Sequence, residues 1–388
     1  MIGLRPSCRS LKGMLKHSAG SLLPCKFPER MNPMKIVTPD YYPQFHCIAS
    51  ACPDTCCAGW EVVVDPEAEK RYRSLEGALG GRLRASMEED EGESIFTPGE
   101  DGRCPFLNQQ NLCDIQAALG EEGLCRTCHL YPRFLNDFGG TREMGLSLSC
   151  PEAARIILTA PSLPGYRTED HPELPPDLND LDAGRYFAVK GVRDRILSIL
   201  SGGEVDEAVA LSLRLARKAE KQIRKGHPEK AEGLAASFDR ESALEKEKGR
   251  AEGTSPLSAE TVIGELLGLL ILRDSWRARL EKAALPEAKI PPLDPEYERK
   301  VLVQLAFRYL LKAAYDGRLH ARMKFIAFSL LALRVLGRGM DHESLLTLTV
   351  NYSREVEHCE ENMEALLRRF DKGGKYGGRA FAAQLLQK

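Results

Sequence analysis

The sequence predicts a mainly α protein: a cysteine-rich metal-binding N-terminal lobe with little β, followed by a helical-bundle C-terminal region. Three observations predict it. Nine of the twelve cysteines fall between Cys47 and Cys150. Beyond residue 184 apolar residues recur at helical spacing. The composition, 43% hydrophobic and 28% charged over 388 residues, is that of a chain able to bury a sizeable core.

Taken in order, residues 1–33 read as a disordered leader or an over-long start, with Met34 as the natural first residue. Residues 34–160 form the expected cysteine lobe. Within it Trp60-Glu61-Val62-Val63-Val64-Asp65 is a short β-like run, and Asp65-Pro66 opens a helix from about Glu67. Residues 85–103, with Glu88-Glu89-Asp90-Glu91-Gly92, read as a surface loop, and residues 104–150 as short helices and turns. Ser149-Cys150-Pro151-Glu152 reads as a helix start, with Ser149 as cap and Glu152 completing a capping box.

Residues 161–180 are proline-rich and read as a linker. The helical domain is expected over 181–388, with an amphipathic helix over Glu204–Arg224 and a mobile charged insert at 226–256. Further helices are expected near 258–284, 296–315 and 319–336. The last of these is apolar all round and is expected at the centre of the bundle. A final helix is expected over 342–370, with Tyr352, Val356, Cys359, Met363, Leu366 and Phe370 as its packing seam. Gly373-Gly374-Lys375-Tyr376-Gly377-Gly378 follows a helix rather than a strand and reads as a helix stop, not as a nucleotide loop.

The formal net charge of −2 lacks the basic excess of a nucleic-acid protein. No stretch approaches the roughly 20 apolar residues that span a bilayer. No signal peptide is evident, so a cytoplasmic, reducing setting is expected, where dense cysteine points to metal or redox chemistry rather than to disulfides.

The cysteines run Cys47-x4-Cys52-x3-Cys56-Cys57, then Cys104-x8-Cys113-x14-Cys128-x21-Cys150. Soft thiolates select zinc, copper(I) or iron–sulfur clusters. Eight thiols exceed one tetrahedral zinc, and only the first group has the close spacing of a structural zinc site. An iron–sulfur cluster, wider than one ion, accepts dispersed ligands. Cys125-x2-Cys128 is a good pair by spacing but is set aside as incidental. Cys8, Cys25 and Cys359 read as unpaired bystanders. Zinc stays open as the alternative.

Several strings carry a family resemblance. Phe45-His46-Cys47-Ile48-Ala49-Ser50-Ala51-Cys52-Pro53-Asp54-Thr55-Cys56-Cys57-Ala58-Gly59-Trp60 resembles the opening of the flagellin lysine-N-methylase family. So do Cys104-Pro105-Phe106-Leu107, Leu112-Cys113-Asp114-Ile115-Gln116, Thr127-Cys128-His129-Leu130-Tyr131-Pro132-Arg133 and Leu148-Ser149-Cys150-Pro151-Glu152-Ala153-Ala154-Arg155. Ser353-Arg354-Glu355-Val356-Glu357-His358 with Asn362 is similar to its C-terminal signature. The first half also resembles a broader group of zinc- or iron-chelating cysteine-cluster proteins.

The resemblance implies a protein-lysine N-methyltransferase. Its donor would be S-adenosylmethionine, its acceptor flagellin or another protein, and it would contain an iron–sulfur cluster of the 4Fe-4S kind. Carried onto this sequence, the metal ligands are Cys47, Cys52, Cys56, Cys57, Cys104, Cys113, Cys128 and Cys150. Donor-binding residues are not assigned. The candidate catalytic residues are His358, Glu357 and Arg354, with His358 or Glu357 accepting the proton a lysine must lose. The competing reading makes them a solvated helix face with intrahelical ion pairs. Arg133 is read either as a hydrogen-bond donor at the site or as a helix-terminal arginine, and Trp60 as a shield or a core aromatic. The alternative function is a non-enzymatic chelating or redox cysteine-cluster protein.

Overall fold

The computed structural model describes residues 33–59, 61–90, 92–99, 102–172, 181–283 and 290–387. The leader expected at 1–33 lies almost wholly outside these, as do Trp60, Cys8 and Cys25. The β-branched run Ile36-Val37-Thr38 lies in strand β1 (Met34–Pro39). Strand β2 (Val62–Val64) is fully buried. Asp65 caps the helix Pro66–Ser74 by accepting the amide of Ala68 at 3.0 Å, as the Asp-Pro pair predicts.

Residues 85–103 are not simply a loop: β3 (Met87–Asp90) and β4 (Glu93–Phe96) form a hairpin, and β2, β4 and β3 make an antiparallel sheet in that order. The acidic residues lowered the apparent strand propensity. Glu88 and Glu89 are exposed, while Ile95 and Phe96 face the core. A second hairpin, β5 (Arg133–Phe138) and β6 (Thr141–Leu146), turns at Gly139, whose φ is +57°. Strand β7 (Tyr166–His171) lies within the stretch expected to be a linker. The larger sheet has the order β5-β6-β1-β7, with β1 parallel to β6 and antiparallel to β7.

Packing crosses the division expected at residue 160. Tyr41, Phe45, Phe138, Leu146 and the helix Pro151–Leu158 share one large core with the C-terminal helices. A smaller core, built on Val62, Val64, Tyr72, Leu83, Phe96, Phe106, Ile115 and Cys125, belongs to the cysteine-bearing segment.

The chain is mainly helical beyond Asp182. Helix Val205–Arg224 has the predicted place, and in Leu319–Leu336 every residue but His320 is buried, as a central helix requires. The stretch 226–256, expected to be a charged insert, carries two packed helices, Pro228–Ala236 and Arg240–Ala251. Their buried face is made of Ala231, Ala235, Ala243 and Ala251, so a search for large apolar residues misses it. The helix expected over 342–370 is broken. An α-helix, His342–Tyr352, passes through a π turn at Ser353–Glu357 before the helix Glu360–Lys372, which ends at Gly373 with φ +79°. Cys359, expected to be an unpaired thiol, is disulfide-bonded. Among the described residues no helix is long and apolar enough to cross a membrane.

Candidate metal centre

All nine cysteines between Cys47 and Cys150 line one cavity of about 470 Å³. Short elements bring them there. Cys52 closes a 3-10 turn at Ala49–Ala51. Thr55 Oγ1 accepts the Cys57 amide at 3.0 Å, shaping the Cys56-Cys57 turn, where the two sulfurs are 3.9 Å apart. The Cys104 amide donates to the Cys57 carbonyl at 2.8 Å, joining the two cysteine groups. Asp65 accepts the Arg126 amide at 2.7 Å and Thr127 donates to the Val63 carbonyl at 2.8 Å. These bonds fix the turn that carries Cys125 and Cys128 against β2.

Three cysteines stand at helix N-termini: Cys113 before Asp114–Leu119, Cys125 before Arg126–Leu130, and Cys150 before Pro151–Leu158. Ser149 is therefore not the cap the sequence predicts. Its hydroxyl instead meets Tyr131 Oη at 3.0 Å and Ser147 Oγ at 2.9 Å. The first-turn amides of Ile115 and Gln116 draw the Cys113 thiol down, and those of Glu152 and Ala153 do so for Cys150, but burial outweighs them. Cys150 is pushed up to about 12 and Cys104 to about 11 by burial. Cys125 and Cys128 share a hydrogen bond that pulls Cys125 down and pushes Cys128 up. Cys125, set aside at the level of sequence, is thus buried on the same cavity. Its x2 spacing to Cys128 was the available signal.

Among the described residues no three His, Cys, Asp or Glu side chains converge closely enough to hold a single metal ion. The expected ligand set is one cavity rimmed by soft donors rather than a preformed tetrahedral site. A zinc ion needs four donors at about 2.0–2.3 Å. A cluster of several iron and sulfide ions spans more of such a cavity, and its donor chemistry is thiolate.

The C-terminal signature packs against this cavity. The expectation of a solvated face is overturned: Ser353, Arg354, Glu355, Glu357, His358 and Asn362 are all buried. The π turn re-aims the helix so that His358 lines the cysteine cavity, with its ring against Tyr131 at 5.8 Å between centroids. His358 Nε2 is 3.0 Å from Ser147 Oγ, which accepts from Arg308 Nη1 at 2.8 Å. Burial and the charges of Arg308 and Arg354 hold His358 well below the ordinary histidine range, so its ring is neutral.

Glu357 lines a second, smaller cavity of about 100 Å³ together with His358, Ser147 and Arg308. Its carboxylate accepts from Tyr309 Oη at 3.0 Å and faces Arg308 at 3.4 Å, and burial raises its pKa. Arg354 is 1% exposed; it donates to the Ser149 carbonyl at 2.8 Å and is ion-paired to Asp54. Arg133 starts β5 rather than ending a helix, and its guanidinium lies 5.1 Å from the Phe45 ring centre. Ser147, Arg308 and Tyr309 gave no signal in the sequence, since two of them sit in the largely buried helix Pro295–Tyr309.

Comparison with known proteins decides the family. The flagellar biosynthetic protein FliU of Salmonella muenchen is 30% identical over 137 residues, which are 34% of this chain and 81% of that protein. The chain belongs to the flagellin lysine-N-methylase family. Two lysine-N-methylases, from Salmonella typhimurium and Salmonella choleraesuis, are also 30% identical over 137 residues, and this match spans about a third, 34%, of their length. No protein-family model and no solved structure matches the chain.

Proposed function

We propose that this chain is a protein-lysine N-methyltransferase that takes its methyl group from S-adenosylmethionine, acts on flagellin, and holds an iron–sulfur cluster in the cysteine cavity. The single observation that carries this reading is the position of His358, a buried imidazole on the wall of the cavity that the cysteines line. Membership of the lysine-N-methylase family supports the same reaction.

In the transfer the lysine ε-nitrogen forms a bond to the methyl carbon, the carbon–sulfonium bond breaks, and S-adenosylhomocysteine leaves. The ammonium must first lose a proton, because only the free amine has a lone pair. His358 is the acceptor of that proton. Ser147, itself fixed by Arg308, orients its ring. Glu357, on the adjoining cavity, supplies a carboxylate beside the same imidazole. Four of the thiols of Cys47, Cys52, Cys56, Cys57, Cys104, Cys113, Cys128 and Cys150 would hold a 4Fe-4S cluster, with the others and Cys125 lining the same cavity. When bound, it supplies a redox-active, Lewis-acidic centre.

The test is incubation of anaerobically purified protein with methyl-labelled S-adenosylmethionine and flagellin, followed by mass spectrometry of lysine ε-methylation. Labelled lysines in the flagellin are expected. Full iron loading without any transfer would favour the non-enzymatic chelating or redox protein instead.

A further inference from the structure

The Cys52–Cys57 loop is held from the far end of the chain. Asp54, in the middle of that loop, is ion-paired to Arg354 of the π turn and lies 3.4 Å from Arg273 Nη1, at the N-cap of helix Asp274–Glu281. Arg273 also passes beneath Gly59, where a β-carbon would sit 3.7 Å from its Nε. The Nε of Arg354 reaches the carbonyl of Ser149, the residue before Cys150. One guanidinium therefore touches the loops that carry Cys52, Cys56 and Cys150. It is almost wholly buried, where a charge acts through a medium of lower dielectric than water.

We propose that Arg354, paired across Asp54 with Arg273, is the positioning and charge-balancing residue of the cysteine centre, and that its guanidinium raises the reduction potential of the bound iron–sulfur cluster. The inference rests on the cluster reading of the proposed function. Reduction adds one negative charge to the cluster, so a fixed cation nearby favours the reduced form and a fixed anion opposes it. Arg354 is thus separated in role from His358, although both belong to one signature: His358 faces the cavity, while Arg354 braces the ligand loops from behind.

The test is a redox titration with dithionite, read by visible absorbance and electron paramagnetic resonance, on anaerobically purified full-length protein. Iron and sulfide are measured first on the unsubstituted chain. If that chain holds no iron, the cluster reading fails and this inference falls with it. If it holds the cluster, Arg354→Gln is expected to keep iron and sulfide but shift the reduced-to-oxidised ratio at fixed potential about tenfold toward oxidised, ~59 mV for a one-electron couple. Asp54→Asn is expected to shift it in the opposite direction. Arg354→Lys, which keeps the charge, is expected to stay near the unsubstituted potential. An unchanged potential in both Arg354→Gln and Asp54→Asn, with the cluster retained, overturns the inference. If Arg354→Gln loses the cluster, retention by Arg354→Lys at the unsubstituted potential supports it, whereas loss in Arg354→Lys overturns the charge role.

Discussion

Arg354 donates its Nε–H to the carbonyl oxygen of Ser149 at 2.8 Å, across 205 positions of sequence. This bond joins the C-terminal signature to the residue before Cys150. It explains why a cysteine segment near the start of the chain is found with a large helical region: the helices place His358 and Arg354 against the cavity the cysteines line.

The first prediction concerns the ligands. Cys128→Ser and Cys150→Ser are each expected to lose bound metal, and the smaller core around Val62, Tyr72 and Phe106 is expected to lose stability with it. Cys125→Ser is expected to reduce metal content as well, since Cys125 is hydrogen-bonded to Cys128 on the same cavity. Iron and sulfide per chain, with thermal melting, check this. Full metal in all three variants would contradict the assignment.

The second concerns His358. His358→Ala is expected to leave metal content unchanged and to slow methyl transfer by roughly a hundred- to ten-thousand-fold, the usual contribution of a general base. Ser147→Ala is expected to slow it less, because it orients the ring rather than taking the proton. A His358→Ala variant with unaltered turnover would return this residue to a purely structural part.

The third concerns pH. Glu355 is buried; its Oε2 accepts the Leu272 amide at 2.9 Å, while Oε1 is buried without a hydrogen-bond partner. Burial raises its pKa from 4.5 to about 7. The folded state therefore holds the proton between these values while the unfolded state releases it. By linkage its contribution to stability falls as pH rises from about 4.5 to about 7, by on the order of 3 kcal/mol in all. Glu355→Gln is expected to flatten that fall. Urea midpoints at pH 5 and pH 8 measure it, and equal pH slopes in the two proteins would count against it.

The fourth concerns the helical core. Arg334 bonds Glu298 through two contacts of 2.6 and 2.8 Å, with both side chains fully buried. Arg334→Met leaves Glu298 buried without that partner and is expected to cost about 3–5 kcal/mol. Chemical denaturation should show it; a change under 1 kcal/mol would mean the pair is not what holds these helices together.

Much of the helical region was legible because apolar spacing and caps are local signals. Val205–Arg224 and Leu319–Leu336 lie where periodicity puts them. Strand β2 was legible in Val62-Val63-Val64, but β3 and β4 were not, because they are short and acidic on the outside, and only their pairing hides Ile95 and Phe96. The packed insert was missed because alanine carries its buried face. At the site, cysteine spacing named residues that share a cavity, and the helix start at Cys150-Pro151 was legible with its cap placed one residue early, but nothing showed that Cys113 and Cys125 each begin a helix. Nor could it show the burial of Arg354 and Glu357, since that depends on a π turn and on contacts from Ser149, Arg308 and Tyr309 far away in sequence.

The most direct test of the central claim, a thiolate-held iron–sulfur centre, is the iron, acid-labile sulfide and zinc content of protein purified without air, read with its visible spectrum. The account predicts roughly equal iron and sulfide with a broad visible absorbance that dithionite bleaches. Zinc alone, with no visible band and no sulfide, would contradict it.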